Sequence, residues 1–240
     1  MPPITNSVIS YPDRGHWGNR EWRGNCSGYV MKDLIETYSP RLFVDPMEGS
    51  GTSREVCAEL GTPYLGYDIK DGYDILNHKT QWKILNEIKA ESDGDGADLI
   101  FLHPPYWSMI KYSQNPMDFC NGTYETYLNR MNSTLGFLKQ CLSNKGRIAL
   151  LLADLRTRNS TRTFFLTDDI TEHEKLFKLR LHKEIRIIKI QHNTMSGGVN
   201  STGVSLAHEY LTIIGNHKEY RGVPDAELTE PAIELGLESV

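Results

Sequence analysis

From Arg41 onward, short apolar runs alternate with segments in which apolar residues recur every three or four positions. The first run is "RLFVD", and "SREVCAEL", Ser53 to Leu60, comes next as a helix with Val56 and Leu60 four apart and Gly61 as its stop. "PYLGYD" is the second strand. "TQWKILNEIKAE" carries Trp82, Leu85, Ile88 and Lys89 at helical spacing, and "DLIFL" is a third strand, apolar throughout like strands buried in a parallel sheet. A longer amphipathic helix is expected over "TYETYLNRMNSTLGFLKQCL", with Tyr127, Met131, Leu135 and Leu138 on one stripe. "RIALLLAD" (strand), "TEHEKLFKLRLH" (helix), "EIRIIKI" (strand) and "HEYLTIIG" (strand) complete the series. This alternation predicts an α/β fold with a mostly parallel central sheet and helices on both faces. Between the last two strands, Gln191 to Ala207 has no helical pattern, so those strands are expected to pair antiparallel at the sheet edge.

In open α/β sheets ligands bind beyond the carboxyl ends of the strands, which directs attention to the residues just after each run. After "RLFVD" stands "DPMEGSGTS", Asp45 to Ser53. Gly49 and Gly51 permit a tight turn that brings backbone close to a ligand, and the next helix offers free N–H groups. No lysine occupies the place required by a phosphate-binding G-x-x-x-x-G-K-[ST] loop. The second strand ends at Asp68, 23 positions after Asp45, where an acid would hold ribose hydroxyls. Asp74, six positions further on, is placed to accept from an adenine amino group. Together these elements point to an adenosine-containing cofactor.

The third strand ends in "HPPYW". Proline fixes φ and removes a backbone donor, so His103-Pro104-Pro105 is a stiff extended segment with carbonyls outside a regular ladder. Tyr106 and Trp107 add flat faces suited to stacking a planar base. Beside an adenosine cofactor, rigid acceptors and an aromatic platform make a pocket for an exocyclic amino group.

Composition limits the partners only in part. The 240 residues are 39% hydrophobic and 24% charged, enough for one sizeable core. The net charge of -5 argues against nucleic acid until its distribution is considered, because residues 221–240 hold one arginine against five acids. Basic patches then remain at Arg156, Arg158 and Arg162, and at Arg14, Arg20 and Arg23. "DRGHWGNREWRGN" mixes arginine with two tryptophans, which suits either nucleic acid or docking on the protein's own core. Cys26, Cys57, Cys120 and Cys141 show no C-x-x-C pairing, fitting reduced thiols rather than a disulfide framework, and no metal site is expected. No apolar run reaches the roughly 20 residues that span a bilayer, and the N-terminus lacks a signal peptide's apolar segment. The expected location is cytoplasmic, away from membranes.

"DPMEGSGT" resembles the S-adenosylmethionine-binding motif of the amino-methyltransferases that modify adenine N6 or cytosine N4 in DNA, and "HPPYW" resembles their catalytic [DNS]-P-P-[YFW] motif. "HEYLTIIGN" is similar to their last strand, and the resemblance spans roughly Gly24 to Asn216, with the two motifs in gamma-like order. It implies a Rossmann-like methyltransferase fold with an antiparallel strand at the end, and S-adenosyl-L-methionine as cofactor. It further implies that Asp45, Pro46, Met47 and the Gly49, Ser50, Gly51, Thr52 turn hold the methionine part, with Asp68 on the ribose and Asp74 near the adenine. Asn25, Cys26 and Ser27, in "RGNCSGYVMKDLI" before the first strand, are weaker candidates for cofactor contact. The catalytic set would be His103, Pro104, Pro105 and Tyr106. His103 and the Pro104 carbonyl would accept the two amine N–H bonds while Tyr106 stacks on the flipped base. His103 stands where the family has Asp, Asn or Ser. Because only a neutral imidazole can accept, activity is expected to fall below about pH 6.5.

Trp107, Lys111, Tyr112, Arg156 and Arg158 are candidate substrate contacts. The expected division is an N-terminal arm over residues 1–23, a methyltransferase domain over 24–217 and an acidic tail over 218–240, whose Pro, Glu and Gly predict mobility. No separate recognition domain is visible, so specificity falls to loops 108–122, 154–169 and 192–206, to the arm, or to another subunit. The partner expected is DNA, with RNA as the alternative, together with a second copy of the chain or a specificity subunit. Adenine N6 is slightly favoured over cytosine N4. An RNA base, a protein glutamine, or a catalytically silent cofactor-binding subunit are the competing readings.

Overall fold

The structure is a computed structural model, and residues 4–156, 162–190 and 208–216 are described. The chain runs β1 (Val8–Ser10), α1 (Gly28–Tyr38), β2 (Phe43–Asp45), α2 (Thr52–Leu60), β3 (Tyr64–Gly66), α3 (His78–Glu91), β4 (Ala97–Leu102), α4 (Tyr124–Cys141) and β5 (Leu142–Leu152). It continues through β6 (Leu155–Arg156), β7 (Thr163–Phe164), α5 (Leu166–Ile170), α6 (His173–Lys178), β8 (Leu181–Ile190) and β9 (His208–Asn216).

Seven strands form one sheet in the order β1-β8-β9-β5-β4-β2-β3. Every neighbouring pair is parallel except the two made by β9, which runs antiparallel to both β5 and β8. This is the Rossmann-like architecture expected from the sequence. The expected antiparallel pair of the last two strands, β8 and β9, is present, but it is not at the edge, because β1 pairs with β8 and closes that side of the sheet. β6 and β7 form a separate two-stranded ribbon.

Side chains alternate across the strands and feed two cores. On one face Ile100 and Leu102 of β4, with Ile148, Leu150 and Leu152 of β5, pack under Ile84 and Ile88 of α3 and Tyr127, Met131, Leu135 and Leu138 of α4. On the other, Leu99, Phe101, Ala149, Leu151, Leu211 and Ile213 pack under Val30, Met31 and Leu34 of α1 and Val56 of α2. Burial on both faces is why β4 is apolar from Leu99 to Leu102, while the half-buried Asp98 near its start is bound to Arg41. The expected α4 stripe is wholly buried.

In α3 the buried residues are Ile84 and Ile88, whereas Trp82 is 71% exposed. Two positions from Ile84 is about 200° around the helix, on the opposite face. The helix expected over "TEHEKLFKLRLH" is cut short. Arg180 takes a left-handed φ of 54°, and Leu181 already pairs with Asn216 of β9, so the sheet register overrides the helical pattern.

The N-terminal segment belongs to the same core. Trp17 is 5% exposed, packs with the α1–α2 face and donates its Nε1–H to Glu59 Oε2 at 2.7 Å. Trp17, one of the segment's two tryptophans, thus docks on the protein's own core. Among the described residues no helix is long and apolar enough to cross a membrane. The acidic tail, Arg158 and loop 192–206 lie outside the described residues.

Candidate functional site

A cavity of about 370 Å³ lies beyond the carboxyl ends of β2, β3 and β4. It falls within the size range of small-molecule sites. The turn after β2 is its floor. Gly49 and Gly51 adopt φ of 54° and 84°, a left-handed region that glycine enters without a Cβ penalty. Asp45 is 3% exposed, accepts from Ser53 Oγ and from the Met47 N–H at 3.0 Å, and is pushed up to about 7 by burial. Asp68 accepts from the Gly49 N–H at 2.9 Å through one oxygen and from the Lys70 N–H at 2.9 Å through the other. That clamp ties the glycine turn to the end of β3, and Asp74 stands further along the same wall with one oxygen on the Leu76 N–H.

Most of the residues expected to hold a cofactor line this cavity: Asp45, Pro46, Met47, Gly49, Ser50, Thr52, Asp68 and Asp74. Gly51 does not; it supplies the left-handed residue that starts α2. Asn25 and Cys26 are in the wall, and Asn25 Oδ1 accepts from Thr52 Oγ1 at 2.6 Å. Ser27 is turned away, its hydroxyl donating to the Asp13 carbonyl at 3.2 Å.

Of the tetrapeptide after β4, His103 and Pro105 line the cavity; Pro104 and Tyr106 do not. The Pro105 carbonyl is taken by the Trp107 N–H at 2.9 Å. His103 Nε2 lies 2.9 Å from Tyr106 Oη, which donates to Glu209 Oε1 at 2.7 Å. Glu209 Oε2 accepts from Lys189 Nζ at 2.7 Å. Burial holds the imidazole down at about 4, with the Glu209 carboxylate acting the other way and Lys189 and Arg14 adding to the depression. The expected loss of the neutral form near pH 6.5 is therefore corrected to near 4. Tyr106 is anchored by its hydroxyl, and its ring meets the imidazole edge-on, with centroids 5.5 Å apart.

The candidate substrate contacts are spread out. Tyr112 lines the cavity, and its hydroxyl donates to the Arg23 carbonyl at 3.3 Å, so the loop after the tetrapeptide meets the N-terminal segment there. Trp107 is drawn into an aromatic cluster with Tyr124 and Phe164, at centroid distances of 5.2 and 4.9 Å, and donates to the Gly122 carbonyl. Lys111 is exposed, and Arg156 is bound to Thr163 Oγ1 across the β6–β7 ribbon.

Four residues at or behind the site stand outside the sequence motifs. Trp22 covers the Gly49 turn, with its Nε1 3.1 Å from where a Gly49 Cβ would stand, and Lys70 Nζ lies 5.2 Å from its ring centroid. Lys189 and Glu209 are a directly opposed β8–β9 pair, with side chains only 8% and 6% exposed. The sequence does carry a signal for this pair: Lys189 shares the inward phase of Ile187, and Glu209 that of Leu211.

Neither a protein-family model nor a curated protein sequence matches the chain. Among solved structures it is similar to a candidate DNA modification methylase of Thermus thermophilus, at 20% identity over 61% of this chain and 54% of that one, TM-score 0.39. It is also similar to TehB of Haemophilus influenzae, at 14% identity over 79% and 62% of the two chains, TM-score 0.41. A third is the mitomycin 7-O-methyltransferase MmcR, at 11% identity over 79% and 52%, TM-score 0.40. The match spans about half the length of the Thermus protein. At these identities and TM-scores the likeness assigns no family to the chain, and its architecture rests on the sheet order itself.

Proposed function

We propose that this chain transfers a methyl group from S-adenosyl-L-methionine to the exocyclic amino group of a DNA base, with adenine N6 ahead of cytosine N4. The observation that carries the reading is the shared wall: His103, first residue of the tetrapeptide, faces the same cavity as the Gly49 turn, Asp68 and Asp74. The cavity fits the cofactor chemically, offering the buried Asp45 carboxylate, a side-chain-free turn at Gly49 and carboxylates at the β3 end. Asp45 and the turn would hold the methionine part, Asp68 the ribose and Asp74 the adenine. When bound, the cofactor supplies an electrophilic methyl on a sulfonium.

The lone pair of an exocyclic amine is delocalised into its ring, which makes it a poor nucleophile. His103 accepts one amine N–H through an unprotonated ring nitrogen; Pro104, whose carbonyl the resemblance implies as the second acceptor, does not line the cavity. A fixed acceptor favours a pyramidal nitrogen and places it, so that orientation and preorganised dipoles carry the reaction. Reaching the amine in a duplex requires the base to leave the stack.

The test is incubation with labelled S-adenosylmethionine and unmodified mixed-sequence DNA, followed by nucleoside mass spectrometry, with a His103→Ala, Tyr106→Ala double variant as control. Label in N6-methyladenine or N4-methylcytosine, lost in the variant, is the expected result. Parallel arms with RNA and with a glutamine-containing protein identify the acceptor if DNA takes no label. Cofactor binding with no transfer in any arm would leave a silent binding subunit.

A further inference from the structure

We infer that Lys189, Glu209 and Tyr106 are positioning residues that fix the proton of His103 on Nε2, so that Nδ1 is the nitrogen that accepts from the substrate amine. The inference rests on the amino-methylation reading and deepens it, because it assigns the acceptor atom and names the residues that hold it in its accepting form.

The direction of each hydrogen bond is set by what each group can give. Lys189 carries only donors, and its Nζ lies 2.7 Å from Glu209 Oε2. Burial acts to raise Glu209, but the Lys189 ammonium, by its charge and its hydrogen bond, and the Tyr106 hydrogen bond bring it below the ordinary carboxylate value. Glu209 is therefore ionised and can only accept. Tyr106 has one hydroxyl proton, and Glu209 Oε1, at 2.7 Å, takes it. Burial and the Glu209 carboxylate raise the Tyr106 phenol well above its ordinary value, so that proton stays on the ring oxygen. The remaining capacity of Tyr106 Oη is a lone pair, and His103 Nε2, 2.9 Å away, must donate to it. A neutral imidazole with its proton on Nε2 has an unprotonated Nδ1, and that nitrogen has no hydrogen bond to any described residue.

The fold explains why these four residues meet. Leu99, Phe101 and His103 alternate onto one face of the sheet, as do Leu211 and Glu209 of β9 and Ile187 and Lys189 of β8. At the carboxyl end of that face the apolar rows stop, and the polar chain takes their place. A buried ion pair is a costly substitute for two aliphatic side chains and gives little stability of its own. A carboxylate with a fixed ammonium, however, is a stronger orienting acceptor for the tyrosine than any neutral group. In an amide or carboxylate at position 103 an acceptor oxygen is always present. A histidine has to be told which nitrogen to leave bare, and the ion pair does this through Tyr106.

The test uses the full chain with ¹⁵N-labelled histidine and long-range ¹⁵N–¹H correlation between pH 5.5 and 8, with the His103 signals assigned by their loss in His103→Gln. The expected pattern is a protonated Nε2 and an unprotonated Nδ1 across the whole range. In Tyr106→Phe, and in a Lys189→Met, Glu209→Gln double variant, the two nitrogens should move toward averaged values. The double variant is chosen because it removes both charges and leaves neither buried alone. A protonated Nδ1 in the wild type, or tautomer signals unchanged in both variants, overturns the inference. As a second readout, the double variant should lower kcat about tenfold, the kinetic equivalent of one lost hydrogen bond, with KM for S-adenosylmethionine within about twofold. If no acceptor is methylated, the reaction reading fails while the tautomer measurement still decides the relay. If methylation proceeds and the tautomer pattern is wrong, only the relay fails.

Discussion

At the residue scale the site holds two titratable groups displaced in opposite directions by the same cause. Burial lowers His103 to about 4 and raises Asp45 to about 7. For His103 the neutral form is the folded form, so stability is lost as pH falls from about 6.5 toward 4 while the unfolded chain takes up the proton first. The chemical step should accordingly be flat from pH 8 to 5.5 and decline only toward 4. A single-turnover pH profile checks this, and a midpoint near 6.5 would mean the imidazole is well solvated. For Asp45 the sign reverses. Its folded value lies above the ordinary 3.8, so its protonated form favours the fold, and that contribution fades as pH rises toward 7. The ammonium of a bound methionine moiety would pull the carboxyl back down. Cofactor binding near pH 6.5 should then release a fraction of a proton and tighten between pH 5.5 and 8. Titration calorimetry in buffers of different ionisation heat measures the release; no buffer dependence would place the ammonium away from Asp45.

At the scale of elements, two glycines separate the site from the scaffold. Gly49 sits at φ 54° with Trp22 Nε1 3.1 Å from a Cβ position, and Gly96 sits at φ 106° with backbone of residues 141–143 at 2.8 Å. Gly49→Ala carries a left-handed penalty of about 1–2 kcal/mol and crowds the turn, so cofactor affinity should fall. Gly96→Ala forces the start of β4 away from β5, so the melting temperature should fall while the affinity of the folded fraction is kept. Calorimetry beside thermal melts distinguishes the two; equal affinity loss in both would show that the turn has no direct part in binding. The turn and the main strands were legible in the sequence because they combine two local signals, a short apolar run and a glycine or acid just past its end. β1 was not, since "VIS" has no periodicity and is a strand only as the parallel partner of β8. The expected helix up to His182 failed because long-range pairing of Leu181 with β9 decides that segment. Asp45, Asp68 and His103 could be found at or just past strand ends, and Asp74 by its place six positions beyond Asp68. Glu209 lies 103 positions from Tyr106 inside a strand, and only a charged residue in an inward phase betrays it.

At the scale of the whole molecule, the cavity is closed by parts of the chain far apart in sequence. Trp22, Gly24 and Asn25 come from the N-terminal segment, Asp45 to Thr52 from the first turn, His103 from the end of β4, and Tyr112 to Phe119 from the loop beyond. A ligand bridging all of them binds the assembled molecule and not the unfolded chain, so it stabilises the fold by about 2.7 kcal/mol at a hundred times its dissociation constant. The two N-terminal tryptophans divide this task. Trp17 is 5% exposed in the α1–α2 core, and truncating it removes packing that no neighbour can replace. Trp17→Ala should cost about 3–5 kcal/mol and lower the melting temperature, with cofactor affinity kept in the folded fraction. Trp22 is half-buried over the Gly49 turn and borders the cavity, so its main contact is with the turn and with whatever the turn holds. Trp22→Ala should leave the melting temperature within a few degrees and weaken S-adenosylmethionine about tenfold. Calorimetric titration reads the affinity, and tryptophan fluorescence that responds to cofactor in the wild type but not in Trp22→Ala reads the contact itself. If Trp22→Ala instead melts early and binds normally, the N-terminal segment is scaffold alone. If both variants keep affinity and only Trp17→Ala loses stability, closure of the cavity belongs to the loop around Tyr112, and the N-terminal residues end their role at the core.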